Sequence, residues 1–116
     1  MQESGALVCL AEAVKKVVPV PVITVGRLGD PVLAEEVLRQ GRADFVALGR
    51  PLVANPSLVQ KVQQGRSGEI RSCIYCNNCL GSGSYEGWSC TVNPGVLRER
   101  EFKIKPASVI KNVFLQ

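Results

Sequence analysis

Pro21-Val22-Ile23-Thr24-Val25-Gly26-Arg27-Leu28-Gly29-Asp30-Pro31 decides the fold. Its first five residues are a short, nearly unbroken apolar run rich in β-branched side chains. That is the pattern of a parallel strand covered on both faces. Gly26-Arg27-Leu28-Gly29 reads as a turn. Asp30-Pro31 then starts a helix, with Asp as N-cap and Pro at the first helical position. The helix is expected over Val32 to Gln40, and Gly41 ends it. The unit then repeats. Asp44-Phe45-Val46-Ala47-Leu48 is a second buried strand, and Gly49-Arg50-Pro51-Leu52 a second turn. Asn55-Pro56 is a second cap-plus-proline start, for a helix reaching Gln64 before Gly65. Upstream, Leu7, Leu10, Ala11, Val14 and Val17 recur at helical spacing. A helix is expected there from Gly5 to Val18, ended by Pro19 and Pro21. Cys9 sits among those apolar positions and reads as a small core residue.

The order helix–strand–helix–strand–helix, with short connections, implies parallel strands each followed by a helix. Two parallel strands alone leave edges and faces uncovered. The chain therefore reads as a segment of a larger α/β body. Its 116 residues suit one small domain or such a piece, and an apolar share of 46% is enough for a core. The net charge of +4 comes from scattered residues, with no basic run longer than Lys15-Lys16. That argues against a nucleic-acid partner. No apolar stretch has transmembrane length and no signal pattern opens the chain, so a soluble, cytoplasmic setting without a membrane partner is expected.

Beyond Gly68 the character changes. Cys73-Ile74-Tyr75-Cys76-Asn77-Asn78-Cys79 is followed, after a ten-residue loop, by Cys90-Thr91-Val92-Asn93-Pro94. Thiolates repel one another, so four together need a shared bonding partner. The two-residue gaps let three sulfurs converge from one tight loop, and the fourth closes the site. Four thiolates suit tetrahedral zinc or an iron–sulfur cluster. Disulfides are disfavoured, since Cys-x-x-Cys spacing strains them and nothing points to secretion. The overlapping x-x spacing and the absence of His are more like a ferredoxin run than a zinc ribbon. Tyr85 and Trp88, between the third and fourth cysteines, read either as shields of that centre from water or as anchors of a Gly-rich loop.

Both strands run into the same dipeptide, Gly26-Arg27 and Gly49-Arg50. Glycine after a parallel strand lets backbone approach a ligand. Backbone N–H groups of such a turn make an anion site, and Arg adds a bidentate phosphate donor; the alternative is two ordinary Gly turns with surface arginines, which a repeat at equivalent strand ends disfavours. In a (β/α)8 barrel, the loops after strands seven and eight are where phosphate is held.

With these motifs in this order, residues 5 to 105 resemble the NADH:flavin oxidoreductases, relatives of the old yellow enzymes. The resemblance is to the iron–sulfur branch, which includes 2,4-dienoyl-CoA reductase, 2-enoate reductase and trimethylamine dehydrogenase. It implies an α/β fold: strands 7–8 of a TIM (β/α)8 barrel over residues 1–68, a loop-rich cluster-binding segment over 69–97, and a linker over 98–116. It implies that Gly26, Arg27, Gly49 and Arg50 hold the FMN phosphate. It implies that Cys73, Cys76, Cys79 and Cys90 ligate a [4Fe–4S] cluster passing electrons between FMN and a pyridine-nucleotide domain carrying FAD. FAD and NAD(P)H belong to the full-length relative only, as does an enone or enoyl substrate. The other partners implied are the remainder of the flavin barrel and that pyridine-nucleotide domain. Many members have three residues between the second and third cysteines; here Asn77-Asn78 makes two. No catalytic residue is assigned, because the segments that hold the flavin ring and the proton donor are not in these residues. On this reading the chain is a fragment, inactive alone, ending at Val113-Phe114-Leu115 where the first strand of the next domain would begin. The remaining alternative is a small stand-alone zinc or iron–sulfur module.

Overall fold

The computed structural model describes residues 3–81, 89–102 and 108–109. Helix α1 (Val8–Lys15) leads to strand β1 (Ile23–Thr24), helix α2 (Pro31–Arg39) and strand β2 (Phe45–Val46). Two short helices follow, α3 (Arg50–Ala54) and α4 (Leu58–Gln63), then a 3-10 turn at Ser67–Glu69 and the single turn α5 (Asn78–Gly81). The strands pair in parallel, Ile23 opposite Phe45 and Thr24 opposite Val46, as the alternation of elements predicted.

Local chemistry sets the helix ends. The Asp30 carboxylate accepts the Val32 backbone N–H at 2.9 Å, with Pro31 at the first helical position. A cap of this kind is worth about 1 kcal/mol. At the other end Gly41 has φ 68°, the Gly41 N–H bonds the Leu38 carbonyl and the Arg42 N–H bonds the Val37 carbonyl. Together these are a Schellman closure. Gly65, at φ 70°, closes α4 in the same way onto Val62 and Lys61.

Several expectations are corrected. Helix α1 starts at Val8 rather than Gly5, because Gly5 takes a left-handed conformation (φ 72°) and donates its N–H to the Gly26 carbonyl at 2.8 Å. Its core contact is Val8, while Leu10, Val14, Val17 and Cys9 are exposed. Gly49-Arg50-Pro51-Leu52 is not merely a turn, since Arg50 already begins α3. Asn55 then closes α3, its N–H bonded to the Pro51 carbonyl, and the Ser57 hydroxyl bonds the Asn55 side chain. The strands, as expected of two parallel strands alone, are covered on one face only. Thr24 is buried, whereas Ile23, Val25 and Phe45 are exposed. Successive strand residues point to opposite faces, and the helices cover just one of them.

The core lies on that covered face. Val8, Leu28, Val37 and Ala43 form it, with Leu33, Val46 and Leu48 packed against them. Burying a side chain such as Leu28 or Val37 contributes about 1.5–3 kcal/mol. Asp44 ties the rim of this core together. Its carboxylate accepts from Lys15 Nζ at 2.8 Å and from the Val22 backbone N–H at 2.8 Å. Those bonds, first Lys15 and then Val22, hold the Asp44 carboxyl below its usual range. A depressed folded-state pKa contributes stability that is fully present above the unfolded value of about 3.9 and is lost as pH falls below that value through the lowered folded one. Replacing Asp44 with Asn should therefore flatten the acid limb of a melting-temperature profile below about pH 4. An acid limb unchanged from that of the parent would show that the pair does not contribute.

No helix among the described residues is long and apolar enough to cross a membrane.

Candidate functional site

The two Gly-Arg dipeptides border one cleft. Gly26, Arg27, Gly49 and Arg50 line it together, joined by Leu7 and by Tyr75 from the cysteine loop. Gly26 has φ 112°, and a Cβ there would stand 3.2 Å from Leu7 Cγ, so the turn admits only glycine without strain. Arg27 follows at φ 55°. Gly49 precedes α3, and among the described residues nothing beyond its own chain neighbours lies within 4 Å of where its Cβ would stand.

Tyr75 lies within the cysteine motif, and the sequence gives it no role. The structure sets its ring against both arginines. The guanidinium carbon of Arg27 is 4.3 Å from the ring centroid and that of Arg50 is 5.1 Å. Both are within cation–π range. Gly29 leaves room for this ring, since a Cβ there would stand 3.0 Å from the Tyr75 hydroxyl and 2.8 Å from Pro51 Cγ. No periodicity or spacing could have revealed Tyr75, because the contact joins residues 27, 50 and 75 across three separate segments.

A second cleft adjoins the first. Cys73, Cys76, Cys79 and Cys90 all line it, with Thr91 and Arg50. Arg50 therefore borders both clefts, and its guanidinium also donates to the Asn77 side-chain carbonyl. Tyr75 and Asn77 take left-handed conformations, φ 53° and 60°, which bend the loop so that its cysteines reach one cleft. The Tyr75 N–H lies 3.4 Å from Cys73 Sγ. The Thr91 hydroxyl lies 3.3 Å from Cys76 Sγ. That hydroxyl first, and then the Asn78 backbone N–H, pull the Cys76 thiol below its usual range. All five cysteines are free thiols, with Cys73, Cys79 and Cys90 half-buried. Among the described residues no three His, Cys, Asp or Glu side chains are gathered tightly enough to hold one metal ion between them.

The returning segment of the loop is fixed by Asn93, a second residue the sequence did not single out. Asn93 is buried. Its amide donates to the Val53 carbonyl at 2.8 Å, and its carbonyl oxygen accepts from Arg71 at 3.1 Å. The cysteine segment is thereby tied to α3. Tyr85, Trp88 and the stretch Val113-Phe114-Leu115 lie outside the described residues.

Comparison with known proteins places this geometry in context. The model of the NADH:flavin oxidoreductase / NADH oxidase family matches residues 4–69. An NADH oxidase from Thermoanaerobacter brockii is 49% identical over 115 residues, covering 96% of this chain and 18% of that protein. Among solved structures, 2-naphthoyl-CoA reductase in complex with 2-naphthoyl-CoA superposes with a TM-score of 0.85 at 32% identity, over 93% of this chain and 17% of that one. Histamine dehydrogenase from Rhizobium sp. 4-9 superposes at 0.79 with 36% identity, over 85% of this chain and 14% of that one. The chain thus spans less than a fifth of the length of these proteins. The solved neighbours are TIM-barrel flavoenzymes, and the parallel strand–helix order seen here is consistent with a fragment of that fold.

Proposed function

Because the chain belongs to the NADH:flavin oxidoreductase / NADH oxidase family, in its iron–sulfur branch, we propose that it supplies the FMN-phosphate site and the cluster ligands of a flavin-dependent oxidoreductase. One observation carries this reading: Arg50 borders both the Gly-Arg cleft and the four-cysteine cleft. A phosphate site and a redox centre built on one shared side chain suit electron transfer between a flavin and a cluster.

The residues fit both groups in kind. Arg27 and Arg50 bring fixed positive charge to a cleft floored by a left-handed glycine turn, the donor set a phosphate monoester needs. Gly49 leaves open space for such a ligand to approach. The thiol cleft offers four sulfurs and no competing carboxylate or imidazole, the donor type of a [4Fe–4S] cluster. Backbone and hydroxyl donors stand beside Cys73 and Cys76, where they would stabilise thiolate ligands. When bound, the flavin supplies hydride transfer and the cluster one-electron transfer.

In this reading residues 1–68 are strands 7–8 of the barrel, 69–97 the cluster loop and 98–116 a linker toward an FAD- and NAD(P)H-binding domain. The bare face of Ile23, Val25 and Phe45 is then the barrel interior, covered by the six other strands. An activated alkene such as an enone or enoyl thioester is the substrate class of the complete enzyme, and the free thiols suit a reducing cytoplasm.

Segment exchange tests the reading. Residues 4–97 should replace the equivalent stretch of a full-length flavin reductase of this family and leave bound FMN, iron and NADH-dependent enone reduction in place. A folded exchange enzyme lacking both FMN and iron would overturn the proposal. The 116-residue chain by itself should bind FMN weakly and reduce no enone, since an eight-stranded barrel needs about 250 residues.

A further inference from the structure

The two clefts share more than a wall. Tyr75 lines the anion cleft, and its backbone N–H reaches Cys73, a residue of the thiol cleft. Its ring packs against Arg27 at 4.3 Å and Arg50 at 5.1 Å. Its N–H lies 3.4 Å from Cys73 Sγ, and the next residue is Cys76. Its left-handed backbone, φ 53°, is costly for an aromatic residue and persists only where the surroundings determine it. The opening above Gly29 admits the ring and its hydroxyl.

We propose that Tyr75 is a positioning residue coupling the two clefts, its ring holding the Arg27 and Arg50 guanidinium groups for a phosphate while its backbone is held by the cysteine loop. This rests on the reading of the Gly-Arg cleft as a flavin-phosphate site. The physical basis is simple. An arginine has many rotamers, and ordering each on binding costs free energy. Arginines already stacked on a ring need less ordering. The ring is fixed only as well as its own loop, and that loop is fixed when its cysteines are bound to their centre. Ordering the loop should thus tighten phosphate binding, and phosphate binding should by reciprocity favour the loaded loop.

The test uses the segment-exchange enzyme and two probes, FMN and riboflavin, which differ by the phosphate alone. Tyr75→Leu should weaken FMN by on the order of tenfold, the scale of two modest cation–π contacts. Riboflavin affinity should hardly change. Tyr75→Phe keeps the ring and should restore FMN binding. Removing iron anaerobically with a chelator should weaken FMN in the unmutated enzyme and add little in the Tyr75→Leu variant. Equal losses for FMN and riboflavin would reduce Tyr75 to general packing and overturn the proposal. So would a chelated, unmutated enzyme with undiminished FMN affinity. If Arg50→Ala weakens FMN while Tyr75→Leu does not, the coupling fails and the phosphate site stands. If neither does, the phosphate site itself fails.

Discussion

Replacing any one of Cys73, Cys76, Cys79 or Cys90 with Ser should sharply reduce the iron incorporated on anaerobic reconstitution of the exchange enzyme. Serine matches cysteine in size, so the fold is preserved while the soft sulfur donor is lost. Cys76 is the most informative position. Its thiol is exposed and pulled below its usual range by the Thr91 hydroxyl and the Asn78 N–H, so it is a thiolate more readily than an ordinary cysteine. Cys9 is the internal control. It is exposed on α1, and its thiol donates to the Ala6 carbonyl at 3.7 Å. Cys9→Ser should retain full iron. Full iron in Cys90→Ser would remove that residue from the ligand set.

The second large effect concerns flavin. Arg27→Ala or Arg50→Ala should weaken FMN by about 1–3 kcal/mol, the scale of a hydrogen bond to a charged group. Arg66→Ala should not, because Arg66 pairs with Glu69 on the surface and borders neither cleft. Arg50 carries a further expectation. It bonds Asn77 in the middle of the cysteine loop and borders the thiol cleft. Arg50→Ala should therefore also slow iron incorporation, whereas Arg27→Ala, which lies on the first cleft alone of the two, should do so less. Titration of the apoenzyme with FMN, followed by flavin fluorescence, measures the first effect, and iron content the second. Equal FMN affinity in the Arg27, Arg50 and Arg66 variants would remove both arginines from the phosphate site.

What was legible in the sequence was mostly local. Asp30-Pro31 and Gly41 fix α2 by rules spanning a few residues, and the structure follows them bond by bond. The parallel pairing followed from the order of elements. The shared cleft of the four cysteines followed from their spacing. Features set by distant residues were not legible. Gly5 leaves the helix because Gly26 accepts its N–H, a bond between residues 21 positions apart. Leu10 and Val14 are exposed although their spacing is helical. The Tyr75 stack and the Asn93 anchor likewise need three segments brought together before either has a role. The bare face of β1 and β2 shows the same limit in reverse. Its apolar residues report burial, but not what buries them.

In the proposed enzyme the four thiols hold an iron–sulfur cluster beside a flavin-phosphate cleft. Metal and sulfide analysis of the anaerobically purified exchange enzyme, read with its visible spectrum, tests it most directly. About four iron and four sulfide per chain are expected, with broad brown absorbance that bleaches on reduction. One zinc per chain, no sulfide and no colour beyond the flavin would contradict it and leave the thiols as a structural zinc site.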